Sequence, residues 1–147
     1  MEFVRQVVEG SELANVIPIQ TATEKPIAIN DINHKAIGEF LQRLREAEGD
    51  NLLQVILFGS VARGDDSEDS DIDVFILLKN YDKTGAEKVM IKERILNIAS
   101  AVEELNDHQV YISPLINSEE TYLKNKRSSL VYYNIADEGV LLYDKGA

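Results

Sequence analysis

Hydrophobic residues follow two kinds of pattern along the chain, one typical of helices and one typical of strands. Over residues 33–48 and 87–105, apolar side chains recur every three to four positions, which predicts two amphipathic helices. The core-facing positions expected for the first helix are Ala36, Ile37, Phe40, Leu41 and Leu44. Those expected for the second are Val89, Met90, Ile95, Ile98, Ala99, Val102 and Leu105.

Short apolar runs rich in branched side chains lie between and after the helical segments, and they predict buried strands. The candidate strands are residues 52–58, 71–78, 109–116 and 140–143. Ser118 is placed to cap a further helical segment, and residues 130–138 predict a helix that ends at Gly139. This order of elements predicts an α/β (α+β) fold, in which a mixed β-sheet has helices packed mainly on one face.

A glycine-rich turn follows the first predicted strand. Its residues are Gly59, Ser60, Val61, Ala62, Arg63 and Gly64. Gly59 permits an unusual backbone angle and lets a ligand approach the main chain closely. Ser60 adds a hydroxyl, and the backbone N–H groups of the short helix that can begin here favour an anion such as phosphate. Arg63 could neutralise a phosphate or pair with neighbouring acids, and we favour the pairing because exposed arginines usually serve in that way.

Two aspartates stand at the start of the next predicted strand. Side chains alternate across a strand, so Asp71 and Asp73 point to the same face, whereas Ile72 and Val74 point to the other. Two carboxylates that are close repel each other unless a cation lies between them. Mg²⁺ prefers oxygen ligands and often combines one or two carboxylates with substrate phosphates. The turn and the aspartates together predict a site for a metal-bound triphosphate.

The segments GSVARG and SDIDV, separated by a short polar spacer, resemble the signature of the nucleotidyltransferase superfamily that includes DNA polymerase beta and small stand-alone, antitoxin-like members. The resemblance covers about residues 35–143 and is strongest at Gly59, Ser60, Gly64, Asp71 and Asp73. It implies that the Gly-Ser turn holds the phosphates of a nucleoside triphosphate, expected to be ATP, with Arg63 and Gly64 as further nucleotide-binding residues. It also implies that Asp71 and Asp73 are catalytic residues that bind Mg²⁺ or Mn²⁺.

The chain departs from this resemblance at the strand predicted for residues 109–116. The resemblance implies a further carboxylate there, which helps to activate the attacking hydroxyl. One face of the predicted strand carries Gln109, Tyr111 and Ser113, and the other carries Val110, Ile112 and Pro114. Neither face has a carboxylate, and Asp107, just before the strand, is the remaining candidate. The residues expected for nucleotide binding are therefore present, whereas the carboxylates expected for catalysis are incomplete.

Composition narrows the class of protein further. The 147 residues suffice for one domain with its own core, and no run of the 44% hydrophobic residues approaches a membrane span. The absence of cysteine and of a secretory signal favours a cytoplasmic protein. The net charge of −11 disfavours a long DNA or RNA substrate. The basic cluster at residues 124–127 is better interpreted as a solvated helix end.

The first thirty residues are the least informative part of the chain. Scattered apolar residues predict one or two short elements that end near Pro26. These residues are consistent with an extra strand, with an arm that covers the site or with a dimer contact. A homo-oligomer is therefore also consistent with the sequence. We therefore divide the chain into an N-terminal extension at residues 1–30 and a nucleotidyltransferase domain at residues 31–147.

Two functions are consistent with these features. One is Mg²⁺-dependent transfer of a nucleoside monophosphate from an NTP to a hydroxyl of a small molecule or a protein. The alternative is a catalytically weak or inactive nucleotide-binding protein that acts as an antitoxin-like partner of a small helical protein, as the resemblance suggests. The intact GSVARG and SDIDV segments favour the enzyme, and the missing carboxylate favours the binding protein.

Overall fold

The computed structural model describes residues 29–81 and 85–146. The predicted N-terminal extension lies outside the described residues up to residue 28. The described helices are α1 (Asp31–Glu48), α2 (Gly59–Arg63), α3 (Gly85–Leu105), α4 (Glu119–Asn125) and α5 (Leu130–Glu138). The described strands are β1 (Leu52–Phe58), β2 (Ile72–Leu78), β3 (Ile112–Ser118) and β4 (Val140–Asp144). None of these helices is both long and apolar enough to cross a membrane.

The four described strands form one mixed sheet in the order β3-β2-β1-β4. β1 is antiparallel to β2 and to β4, whereas β2 and β3 are parallel and are joined through α3. At one end of the sheet, Phe58 pairs with Asp73, and Asp73 pairs in turn with Ser113. The end of β1 and the starts of β2 and β3 therefore meet in one place.

The sheet has a separate hydrophobic core on each face. On one face, α1 and α3 pack against the strands through residues such as Phe40, Leu44 and Ile95. On the other, the ring of Tyr132 meets those of Phe75 and Tyr122 edge to face, and so attaches the shorter helices α4 and α5. The two longest helices share one face, which confirms the predicted α/β fold with a mixed sheet.

The predicted core stripe of the second long helix is partly wrong. The buried residues of α3 are Ile91, Ile95, Ala99 and Val102. Val89, Met90 and Leu105, which the sequence pattern places in the core, are instead exposed, by 54%, 64% and 53%. Apolar residues occur around much of this helix, and only the stripe that faces the sheet can be buried. The hydrophobic pattern therefore predicts the helix but not its rotation.

The strand predicted at residues 109–116 is wrong at both ends, because β3 runs from Ile112 to Ser118. Asp107 and His108 have positive φ angles of 54° and 57°, so the chain is still turning after α3 where the strand is expected to begin. The predicted cap at Ser118 is confirmed, since its side chain accepts a hydrogen bond of 3.0 Å from the N–H of Thr121.

Candidate functional site

The turn after β1 brings the main chain against a carboxylate. Gly59 has a φ of +80°, and a Cβ added there would overlap the carboxylate of Asp73. A glycine is therefore required at this position for two reasons, the backbone angle and the close approach. The following residues, Val61 and Ala62, are buried in the core beneath α1 and α3, which anchors α2. The turn is thus held in place from below while Gly59 and Ser60 stay half-buried at the surface.

Asp71 and Asp73 stand on either side of the buried Ile72, and their charges interact. Asp71 is exposed directly before β2, and Asp73 is half-buried as the second residue of β2. Burial is the main cause that raises the pKa of Asp73, and the negative charge of Asp71 raises it further. The two carboxylates therefore interact unfavourably when both are ionised, an arrangement that a cation would relieve.

Arg63 forms ion pairs in this structure. Its Nη1 donates to both carboxylate oxygens of Glu138 at 3.0 Å, and its Nε donates to Asp65 at 3.3 Å. These hydrogen bonds, with Glu138 first, raise the pKa of the guanidinium. Arg63 therefore pairs with acidic side chains, as the sequence analysis favoured. Gly64, with a φ of +80°, ends α2 directly after Arg63.

Glu138 is a site residue that the sequence pattern does not reveal. It is the last residue of α5, yet its Oε1 accepts a hydrogen bond of 3.2 Å from the N–H of Gly59, 79 positions away in the chain. Its charge also contributes to the raised pKa of Asp73. A glutamate before a glycine at a helix end gives no local signal of such a role, so only the packing of α5 brings it here.

Ser113 occupies the position opposite Asp73 on the parallel strand β3. The adjacent link between the strands is the hydrogen bond from the N–H of Ile72 to the carbonyl of Tyr111, at 2.7 Å. Asp107 lies in the exposed turn after α3. Within residues 29–81 and 85–146, no group of three acidic, histidine or cysteine side chains is placed to share a metal ion. Asp107 therefore does not complete a three-ligand group here.

The donor set fits a metal that brings other ligands with it. Two neighbouring carboxylates, Asp71 and Asp73, are too few for a metal held by protein alone. They match Mg²⁺, which commonly keeps one or two protein carboxylates and takes the rest of its ligands from water and substrate phosphates. The residues present therefore fit Mg²⁺ or Mn²⁺ in company with a triphosphate.

A cleft of about 490 Å³ lies beside these strand ends. Its walls come from the start of α1, from the loop at residues 67–70 and from residues that precede β3, including His108 and Tyr111. The loop continues directly into Asp71, and the carbonyl of Tyr111 accepts a hydrogen bond from the N–H of Ile72. Neither Asp71 nor Asp73 lines the cleft, whose wall is mainly hydroxyl, amide and carboxylate groups.

Most of the chain resembles one family of known proteins. A family model described as "Nucleotidyltransferase domain" matches residues 37–142. Three Methanocaldococcus jannaschii proteins, each named "Putative protein adenylyltransferase", are 34%, 32% and 38% identical to this chain over the matched residues. The matches cover 54%, 74% and 65% of this chain and 51%, 96% and 84% of those proteins. The chain thus spans about half the length of the first relative and most of the other two.

Solved structures with a similar fold include the following two. The first, described as a "toxin-antitoxin with AMP-PNP", has a TM-score of 0.46 and 17% identity, and the match covers 72% of each chain. The second, described as a "putative nucleotidyltransferase from Sulfolobus solfataricus", has a TM-score of 0.41 and 21% identity. That match covers 76% of this chain and 90% of the other.

Proposed function

The chain belongs to the nucleotidyltransferase domain family, and from this premise we propose that it transfers AMP from ATP to a hydroxyl group of a protein. The observation that carries the proposal is the meeting of the Gly59 turn with the Asp71 and Asp73 carboxylates at one end of the sheet. Adenylyl transfer to protein is the activity in the names of the relatives, and this supports both the donor and the acceptor.

The triphosphate of ATP binds at the turn. The N–H of Gly59 and the hydroxyl and N–H of Ser60 are donors on a segment that Val61 and Ala62 anchor in the core. Hydrogen bonds from such fixed donors suit phosphate oxygens, because no large rearrangement of the backbone is needed when the anion arrives. Gly64 keeps the end of α2 tightly turned, and Arg63 provides a cation beside the same segment.

Asp71 and Asp73 hold Mg²⁺ or Mn²⁺ together with the phosphates. A divalent ion in such a site supplies charge stabilisation for an in-line displacement at phosphorus and for the pyrophosphate that leaves. The side chains of this chain do the positioning: β2 holds Asp73 under the Gly59 turn, and Asp71 extends from the strand start into solvent. These two carboxylates would supply the protein ligands of the ion, and the phosphates would supply others.

The acceptor approaches through the cleft that is lined by the loop leading into Asp71. Its volume of about 490 Å³ is enough for a side chain and the peptide around it, and its polar wall suits a hydrated loop rather than an apolar ligand. Tyr111 is 49% exposed on this wall. We expect Tyr111→Ala to reduce transfer to an acceptor while leaving ATP affinity unchanged, as measured by label transfer and calorimetry.

A second candidate function is favoured by one observation, the serine opposite Asp73. Ser113 stands where a carboxylate on β3 would lie opposite Asp73. Without that carboxylate, the protein would bind nucleotide without appreciable turnover and act by covering a small helical partner protein, as an antitoxin does. This function keeps the ATP site and removes the chemical step.

Calorimetry with ATP and GTP, each with and without Mg²⁺, tests the site. We expect Mg²⁺-dependent ATP binding that is lost in the double variant Asp71→Asn, Asp73→Asn, because the ion loses its protein ligands. The matched control is Glu68→Gln, Asp69→Asn, which removes the same charge from the adjoining exposed loop. Equal affinity in the wild type and the aspartate variant would mean that these residues do not hold the metal.

Labelled ATP separates the two candidate functions. The wild-type protein is incubated with α-labelled ATP, Mg²⁺ or Mn²⁺, and a lysate of its host. Transfer of label to one protein band identifies the acceptor and supports the enzyme. Nucleotide binding without transfer to any acceptor favours the binding protein instead.

A further inference from the structure

Glu138 occupies donors that an incoming phosphate would need. Its Oε1 accepts the N–H of Gly59 at 3.2 Å, and its two oxygens both accept Nη1 of Arg63 at 3.0 Å. A backbone N–H beside a guanidinium is a typical pair of ligands for a phosphate oxygen. One carboxylate from another part of the fold therefore holds both members of such a pair.

The contact can open at low cost to the fold. The side chains of Glu138 and Arg63 are 20% and 45% exposed, so both groups can reach water when they separate. Exposed ion pairs contribute little to stability, typically below about 1 kcal/mol. Glu138 is the last residue of α5, and rotation of its side chain leaves the backbone hydrogen bonds of the helix in place.

Electrostatics favours the exchange once a triphosphate is present. Glu138 adds a negative charge near Asp73, whose pKa it helps to raise, and Asp71 already stands beside it. A triphosphate bound at the turn would place further negative charge next to Glu138. Repulsion therefore makes simultaneous occupancy by the carboxylate and a phosphate unfavourable.

We propose that Glu138 holds the place of the nucleotide phosphates in the nucleotide-free protein, and that ATP binds by displacing its carboxylate from Gly59 and Arg63. The inference rests on the proposed function, since it takes the Gly59 turn as the triphosphate site. It makes Glu138 a residue that sets nucleotide affinity without contacting the reacting atoms. Arg63 then changes partner, from Glu138 to phosphate, when ATP binds.

The test compares Glu138→Gln with Glu120→Gln by calorimetry, using Mg²⁺–ATP and inorganic tripolyphosphate as ligands. Glu120 pairs with Lys124 at 3.3 Å on the exposed side of α4, so the control removes the same charge and also breaks an ion pair. We expect Glu138→Gln to bind both ligands about fivefold more tightly than the wild type, because the competing ion pair is gone. Glu120→Gln should bind like the wild type.

Unchanged or weaker binding by a folded Glu138→Gln protein would overturn the inference, and ATP binding by the wild type would still support the proposed function. If neither ligand binds to either protein, both proposals fail. Thermal unfolding followed by circular dichroism establishes that the variant is folded. Glu138→Asp is the second variant, because its shorter side chain keeps the charge but cannot span the same two donors; it should also bind ATP more tightly.

Discussion

Gly59 and Gly64 stand at the two ends of α2, and both have a φ of +80°. They differ in their surroundings. A Cβ at Gly59 would meet the carboxylate of Asp73, whereas a Cβ at Gly64 would meet no atom within 4 Å. The two positions therefore separate the effect of backbone strain from the effect of crowding the aspartate.

We expect Gly59→Ala to abolish Mg²⁺–ATP binding and to lower the free energy of unfolding by about 2 to 3 kcal/mol, since it adds a clash to the strain. Gly64→Ala should cost only about 1 kcal/mol, the strain alone, and should retain measurable ATP binding. Calorimetry and urea unfolding provide the two measurements. Equal loss of binding in both variants would show that Asp73 is not crowded as the structure indicates.

Asp144 is a buried carboxylate away from the candidate site. It is 7% exposed at the end of β4, and its Oδ1 accepts the N–H of Gly146 at 2.9 Å. Its Oδ2 is also buried, and Asp144 stands opposite Gln54 of β1 in the sheet. Burial raises the pKa of Asp144, and the interactions with the backbone of Gly146 and the side chain of Gln54 oppose this only in part.

The raised pKa makes stability depend on pH. The folded state holds the proton of Asp144 more tightly than the unfolded chain, so its contribution to stability is present at acid pH and is lost as the pH rises through the folded-state pKa. Asp144→Asn should therefore raise the free energy of unfolding at pH 7 by about 1 kcal/mol, and with it the melting temperature. The gain in stability should be smaller near pH 4. Thermal unfolding at both pH values measures this, and a larger gain at pH 4 would contradict it. Asp69→Asn, in an exposed loop, is the control.

At the scale of elements, α1 and α3 are linked by an ion pair as well as by apolar contacts. The side chain of Glu48 is 1% exposed and accepts two hydrogen bonds from Arg94, at 2.7 and 3.0 Å. Glu48 is the last residue of α1, so the pair fixes the end of this helix against α3. A buried carboxylate with a bidentate arginine depends strongly on its partner.

We expect Arg94→Met to lower the free energy of unfolding by about 2 kcal/mol, because it leaves the Glu48 carboxylate buried and unpaired. The double variant Arg94→Met, Glu48→Met should be more stable than Arg94→Met alone, since no buried charge remains. Urea unfolding of the wild type, the single variants and the double variant gives the coupling energy. Additive effects would show that the two side chains do not act together.

At the scale of the whole molecule, five elements supply the candidate site, and α2 holds Gly59, Ser60 and Arg63. Of the others, β1 leads into the turn, β2 contributes Asp73 with Asp71 directly before it, β3 contributes the position opposite Asp73, and α5 contributes Glu138. Each arrives from a different part of the chain, and the sheet order β3-β2-β1 brings the strands together. The composition of the site therefore follows from topology, including the serine that stands opposite Asp73.

We expect slow pyrophosphate release from ATP by the wild-type chain, because β3 provides no carboxylate opposite Asp73. Ser113→Asp should increase the rate at saturating ATP by roughly tenfold or more, by adding a metal ligand and a base at that position. Asp107→Asn should leave it unchanged. Fast release by the wild type that is lost in Asp107→Asn would instead make Asp107 the missing ligand.

Much of the fold follows from local patterns. β1 and α5 have the predicted bounds because short branched runs and a capped helical period are decided by neighbouring residues. The rotation of α3 could not be predicted, since Val89 and Met90 are as apolar as the residues that the sheet covers. The start of β3 was missed because two residues with left-handed backbone angles, Asp107 and His108, carry only a weak local preference for a turn.

The sequence by itself determined the turn, the two aspartates on either side of Ile72 and the absence of an acid on the third strand, because these depend on glycine chemistry and on the order of residues in the chain. Only the tertiary structure decided which other side chains join them. Glu138 reaches the turn because α5 packs on the second face of the sheet. Ser113 stands opposite Asp73 because β3 runs parallel to β2 in one register. Contacts between residues far apart in the chain depend on packing, and no local pattern encodes them.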